Sequence, residues 1–325
     1  MGGRAATVPS RQKTSRKAGS AAPVEGRKRL SFVADDGFPL SGTLFQGDGP
    51  GPLVLISAAT AVPQGLYFGF AVQLIERGAR AVLTYDYRGT GQSPTPPGWR
   101  KRISMKDWAL RDFPAAVAAL NAVAPGHDMA GIGQSFGGQA LGLSGISHRF
   151  ARYANVASMS GARRLLDDPW VWPRMNLVGV PDSLMLGHIP SWLGIGEPLP
   201  GSVFRDWARW CRMQNYFFDD SELPETARFS DVRLPLLSIG MLDDPWGTPR
   251  AVAHLLSHYD NADISERWFG PDHVGGQPIG HLGFFRSRFA DALWPALAEW
   301  LLRETPPDMG ATRVDLGLSR PASRS

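Results

Sequence analysis

The sequence predicts an α/β fold: a mostly parallel, twisted sheet with helices on both faces and an inserted helical lid. Three observations lead there. Short apolar runs recur at residues 53–57, 81–85, 129–132 and 236–240, and they read as strands buried on both faces. Stretches of helical period separate them. The alternation lapses between residues 162 and 229 and then resumes.

Taken in order, residues 1–29 are rich in Gly, Ala, Ser, Lys and Arg without apolar periodicity and read as a disordered basic tail. Alternating runs at 29–34 and 40–45 flank Asp35-Asp36-Gly37, a hairpin signal. After the strand at 53–57, residues 66–77 place Leu66, Phe70 and Leu74 on one helix face, with Gly78 as a left-handed cap. The strand at 81–85 runs into the polar, glycine-rich loop from Asp86 to Ser93. A helix over 108–123 is expected to bend at Pro114. The strand at 129–132, a tight turn at Gly133-Gln134-Ser135-Phe136-Gly137 and a helix over 138–147 come next, followed by a strand at 153–159. Beyond the gap, a strand at 236–240, a helix at 249–258, a strand at 264–269 and a closing helix over 286–303 complete the pattern. The expected organisation is therefore a core of residues 30–161 and 230–305, a lid insertion at 162–229, and a C-terminal tail at 306–325.

Charge excludes a nucleic-acid groove. The whole chain carries +4, but residues 1–29 carry a net +7 and residues 306–325 a net +1, which leaves −4 on the body. No apolar run suits a signal peptide, and none approaches the roughly 18 residues of a membrane span. The single cysteine, Cys211, excludes an internal disulfide framework and fits a reducing, cytoplasmic setting; its apolar neighbours suggest packing. Gly131-x-Gly133 is followed by Phe136 where a dinucleotide fingerprint needs glycine, and no phosphate-loop motif occurs.

The turn at 133–137 is the chemically pointed stretch. A strand–turn–helix of this tightness strains the backbone of Ser135, so its neighbours two positions away must be small, and both are glycine. With it, four further signposts stand in order: Asp35-x-Gly37-x-x-Leu40, Asp86-x-Arg88-Gly89-x-Gly91-x-Ser93, Gly240-x-x-Asp243 and Gly280-His281. Together they resemble the α/β-hydrolase superfamily, in its serine aminopeptidase and monoacylglycerol lipase-like esterase branch, over roughly residues 30–303. One departure is Ser57-Ala58-Ala59-Thr60, where many relatives carry His-Gly.

The resemblance implies a cofactor-free, metal-free serine hydrolase acting on a small-molecule carboxylic ester through an acyl-enzyme. Ser135 is its expected nucleophile and His281 its base, with His273 as the rival; Asp243 is the expected acid and Asp244 the alternate, free to cap the following helix. Backbone N–H groups of Phe136 and of Ala59 or a neighbour are expected to form the oxyanion hole. His254 and His258 stand i,i+4 but lack the Glu and third ligand of a zinc site. Arg88 and Asp86 read as loop braces. Arg163 and Arg164 stand where a substrate carboxylate would meet them, though solvated charges are the simpler reading. The insertion holds Trp170, Trp172, Trp192, Trp207 and Trp210; Trp207 and Trp210 are candidates to line an acyl pocket. An aminopeptidase or an acyltransferase would use the same triad. A non-catalytic receptor on this scaffold stands apart as a different class. Oligomeric state is not legible in the sequence.

Overall fold

The computed structural model of the chain describes residues 26–194, 196–303, 311–312 and 314–317. Among them run β1 (Arg27–Val33), β2 (Pro39–Gln46), β3 (Leu53–Ser57), β4 (Ala81–Asp86), β5 (Met129–Gln134), β6 (Arg152–Val156), β7 (His188–Ile189), β8 (Leu199–Pro200), β9 (Pro235–Met241) and β10 (Asp263–Phe269). Eight of these make one sheet in the order β1-β2-β4-β3-β5-β6-β9-β10, while β7 and β8 pair separately. β2 runs antiparallel to both its neighbours, and every pairing from β4 to β10 is parallel.

The centre of the sheet is apolar on both faces because helices cover both. Every residue of β3, β4, β5 and β6 is buried. Helix Phe68–Glu76 buries Phe70, Ala71 and Leu74, and Phe70 packs edge-on against Phe285 and Trp294. Trp294 belongs to the closing helix Ala290–Arg303, which also buries Leu293, Leu297 and Leu301. The helix expected over 108–123 runs without a break from Met105 to Asn121 but is not α throughout. A five-residue π turn, Trp108–Asp112, lies just ahead of Pro114, whose ring removes one backbone donor from the helix.

Both expected tails are shorter than their sequence suggests. Arg27, Lys28 and Arg29 belong to β1 and pair with Phe45, Leu44 and Thr43; residues 1–25 lie outside the described residues. Thr312 pairs with Trp268 through reciprocal backbone bonds of 3.1 and 2.9 Å, and Ala311, Val314 and Leu316 pack on the core. The remainder of the 306–325 tail lies outside the described residues.

Between β6 and β9 the chain leaves the sheet. It forms short helical turns, the β7–β8 ribbon and the helix Gly201–Arg212, whose Val203, Phe204, Trp207, Trp210 and Cys211 are buried. Burial drives the Cys211 thiol far above its usual range, which keeps it protonated and inert.

The loop after β4 is braced by charge. Arg88 donates to Asp112 through Nε at 2.7 Å and through its backbone N–H at 2.9 Å, and to Asp36 through Nη1 at 2.7 Å. Asp86 accepts from the backbone and side chain of Gln64, each at 2.8 Å, and from Gln92 N–H at 2.9 Å. The Arg88 and Asp112 side chains are 1% and 0% exposed, so neither charge has water to fall back on. Replacing Arg88 with Met is expected to cost about 3–5 kcal/mol of unfolding free energy, because it strands a buried carboxylate. Replacing the half-exposed Arg111 should cost under about 1 kcal/mol. Urea unfolding of the two variants checks the contrast; equal losses would defeat the brace.

Candidate active site

The site begins with a strained residue. β5 ends at Gln134, helix Phe136–Ser144 starts one residue later, and Ser135 between them adopts φ 50°, ψ −112°. Its N–H donates to Val156 O at 2.9 Å, which ties the turn to β6. The flanking glycines are sterically obligatory. A Cβ on Gly133 would stand 2.1 Å from Gly137 C, and one on Gly137 would stand 2.2 Å from Ser57 O. The serine is thus carried on the N-terminus of a buried helix, beside amides that have no intrahelical acceptor.

The loop after β10 brings an imidazole to that serine. His281 Nε2 lies 3.1 Å from Ser135 Oγ, and its Nδ1 lies 2.7 Å from Asp244 Oδ2. An acceptor on Nδ1 fixes the proton there and leaves Nε2 free to accept the serine hydroxyl. Burial of Asp244 would raise its carboxyl, but the His281 charge, the bond to that ring and the amides of Gly247 and Trp246 outweigh it and hold it below its usual range.

The expected acid, Asp243, faces elsewhere. Its two oxygens accept from Ile279 N–H at 2.8 Å and Gly280 N–H at 3.0 Å, the amides just ahead of His281. The reason is one residue of strand. β9 continues to Met241, and Leu242 N–H still bonds Phe269 O at 2.8 Å, so the turn that releases a side chain toward His281 comes at Asp244. Neither aspartate caps the next helix; Thr248 does, accepting from Ala251 N–H at 3.1 Å. His273 is turned to its own loop, where its Nδ1 accepts from Gly270 N–H at 3.0 Å. His258 stacks on Phe218 and meets His254 edge-on, and no group of three or more candidate metal ligands occurs among the described residues.

Comparison with solved structures identifies the architecture. An α/β hydrolase, GrgF from Penicillium sp. sh18, matches with a TM-score of 0.56 at 18% identity, over 85% of this chain and 99% of that one. A Pyrococcus furiosus esterase matches at 0.57 and 16%, over 88% and 96%. A monoacylglycerol lipase from Paleococcus ferrophilus matches at 0.52 and 15%, over 81% and 98%. The chain has the α/β-hydrolase fold. At these identities the likeness is one of fold. No family model and no curated protein sequence matches the chain.

Within the hydrolase fold, Ser135 and His281 open onto a cavity of about 180 Å³. Its walls include Ala59 and Thr60 after β3, Phe136 and Gln139 of the helix behind the serine, and Trp246 and Leu282. The insertion supplies Arg174, Gly194, Trp207 and Tyr216. Two expectations need correction here. Ala59 is not a free donor, because its N–H is engaged by Tyr67 Oη at 3.0 Å. Tyr67 in turn donates to Gln134 Oε1 at 2.7 Å, and Gln134 Nε2 donates to His281 O at 3.0 Å. The next residue, Thr60, lines the cavity, and its N–H has no hydrogen-bond partner among the described residues. Trp210 does not reach the cavity either. Its Nε1 donates to Asp220 Oδ2 at 2.6 Å, and its ring packs on Tyr216 and Phe217 inside the insertion. Trp207 does line the cavity, while Trp170 and Trp192 are mostly exposed.

Among the residues that sequence reasoning missed are Trp246, Tyr67, Gln134 and Arg174. Trp246 lies beside His281 with the rings tilted by 39° and centroids 6.3 Å apart, and donates its backbone N–H to Asp244 Oδ1 at 2.8 Å; its place two residues after Asp244 was the available signal. Tyr67 and Gln134 carried none, since a tyrosine at the start of a helix and a glutamine at the end of a strand read as ordinary structure. Arg163 lies over the Trp172 ring and Arg164 bonds Gln214 O, so the insertion's arginine at the cavity is Arg174 instead.

The two aspartates are separable by experiment. Asp244→Asn, which would favour the wrong imidazole tautomer, is expected to lower kcat by about 10⁴-fold. Asp243→Asn keeps one acceptor oxygen for the loop amides and should lower kcat by about tenfold at most. Ester turnover by the two purified variants decides; a larger loss at Asp243 would reverse the roles.

Proposed function

We propose that the protein is a cofactor-free serine hydrolase of small carboxylic esters. The observation that carries the proposal is the hydrogen-bonded line Asp244–His281–Ser135, at 2.7 and 3.1 Å, opening on a partly apolar cavity. In this reading Ser135 Oγ attacks the ester carbonyl carbon as His281 Nε2 takes its proton. The negative charge formed on the carbonyl oxygen is met by the N–H groups of Phe136 and Thr60. The imidazolium, stabilised by ionised Asp244, returns the proton to the departing alkoxide. Water then attacks the acyl-serine, His281 accepts its proton and passes it back to Ser135 Oγ, and the acid leaves.

Residues 162–229 act as a lid in this proposal, because Arg174, Gly194, Trp207 and Tyr216 wall the cavity from that side. A substrate with a free amino group fits poorly. No carboxylate lines the cavity among the described residues, and Arg174 would repel an ammonium. That favours esterase over aminopeptidase. The esterase and lipase neighbours agree with the reading through their fold. No helix among the described residues is long and apolar enough to cross a membrane, and the single buried cysteine suits the cytoplasmic location that we also propose.

A fluorophosphonate probe should label the wild-type protein at Ser135 and fail to label Ser135→Ala. The same protein should hydrolyse short p-nitrophenyl esters and leave amino-acid arylamides untouched. His281→Ala should lower kcat by about 10⁴-fold or more. Labelling that persists in Ser135→Ala, or that maps to another serine, would overturn the mechanism.

A further inference from the structure

Arg174 is the feature of the cavity that a plain ester does not explain. It is the only lysine or arginine among the described residues lining the space in front of Ser135. Among the described residues its guanidinium makes one bond, from Nη2 to Asp168 Oδ2 at 2.8 Å. Its Nε is buried and has no hydrogen-bond partner among the described residues. About a third of the side chain is exposed, and Nη1, which bonds nothing among the described residues, keeps its N–H groups for a ligand in the cavity.

Asp168 does not absorb the charge alone. The same carboxylate also accepts from Trp170 N–H at 2.9 Å and from Trp246 Nε1 at 3.2 Å. Asp168 therefore anchors the guanidinium against the cavity wall while three donors share its two oxygens. Trp207 and Trp246, with ring centroids 5.5 Å apart, belong to the same wall. An apolar surround of this kind strengthens an ionic contact relative to water. A planar guanidinium with spare N–H groups is a good match for a carboxylate, which it holds through parallel bonds. A phosphate dianion is a poorer match, since its second negative charge adds to the repulsion from Asp168.

Resting on the esterase reading above, we propose that the substrate is an ester bearing a carboxylate, and that Arg174 binds that carboxylate. The cavity's modest volume, about 180 Å³, restricts such a substrate to a small one. The charge has a place in either arm of the ester, so the test takes both.

Two substrate pairs differ only in whether the carboxylate is capped: mono-p-nitrophenyl adipate against p-nitrophenyl methyl adipate, and 4-acetoxybenzoate against its methyl ester. In at least one pair the wild type should prefer the charged member in kcat/KM by about tenfold or more. Arg174→Gln should lower that ratio at least tenfold, and Arg174→Lys should restore part of it. A purely structural arginine would lower both members of a pair together. Preference for the neutral member in both pairs, or a preference that survives Arg174→Gln, overturns the proposal. If no ester turns over and Ser135 takes no fluorophosphonate, the esterase reading fails instead, and the arginine is judged by binding alone. Adipate or benzoate should then quench tryptophan fluorescence saturably in wild type and in Ser135→Ala, with at least tenfold weaker binding in Arg174→Gln. Absence of saturable quenching, or equal affinity in Arg174→Gln, overturns it there.

Discussion

The contact between Gly137 and the Ser57 carbonyl governs the geometry of everything around the site. A Cβ at that glycine would approach the oxygen to 2.2 Å, so the helix that starts at Phe136 sits against the end of β3 only because the side chain is missing. The closeness fixes the height of Ser135 above the sheet edge and brings Ala59 and Thr60 alongside it. It also has to hold a non-glycine residue at positive φ, a strain of order 1–3 kcal/mol that the surrounding packing must offset. The bonds Ser135 N–H to Val156 O and Tyr153 Oη to Gly137 O, each 2.9 Å, show where that restraint comes from.

The fold was legible because its main signals are local. β3 carries the same bounds in sequence and structure, since four apolar residues and a serine, flanked by Gly-Pro and small residues, leave little freedom. The serine was legible for the same reason: Gly-x-Ser-x-Gly is a steric requirement written in side chains. The acid was not. Choosing between Asp243 and Asp244 depends on whether β9 stops at Gly240 or Met241, and that depends on pairing with β10, nearly thirty residues away. A one-residue difference in strand length reverses which side chain faces the histidine. Which amide after β3 stays free, that of Ala59 or of a neighbour, was not legible for a different reason: Tyr67 Oη takes the Ala59 N–H, and no pattern in the chain announces a side chain that caps an amide eight residues away.

The insertion was visible as a gap in strand pattern, yet its tryptophans were not sortable by sequence. Trp207 and Trp210 are three residues apart on one helix, and both are buried. What separates them is the partner each ring meets. Asp220, bonded to Arg209 as well, holds the indole N–H of Trp210 inside the insertion, while Trp207 is left facing Trp246. Charge told as little. Asp167 and Asp168 stand side by side in the chain, but Asp168 anchors Arg174 at the cavity while Asp167 meets Arg250 at the surface.

The buried bonds from Ala59 through Tyr67 and Gln134 to His281 have a direction. Each link donates the same way: amide to phenol, phenol to amide oxygen, amide nitrogen to carbonyl. Dipoles aligned head to tail reinforce one another, so the row behaves as one polarised unit. It joins two loops separated by more than two hundred residues of chain, one ahead of the insertion and one behind it. Sequence drift in the insertion therefore has no easy route to loosen the distance between them. The register of those two loops is a property of the core, inherited whatever roof is built above it.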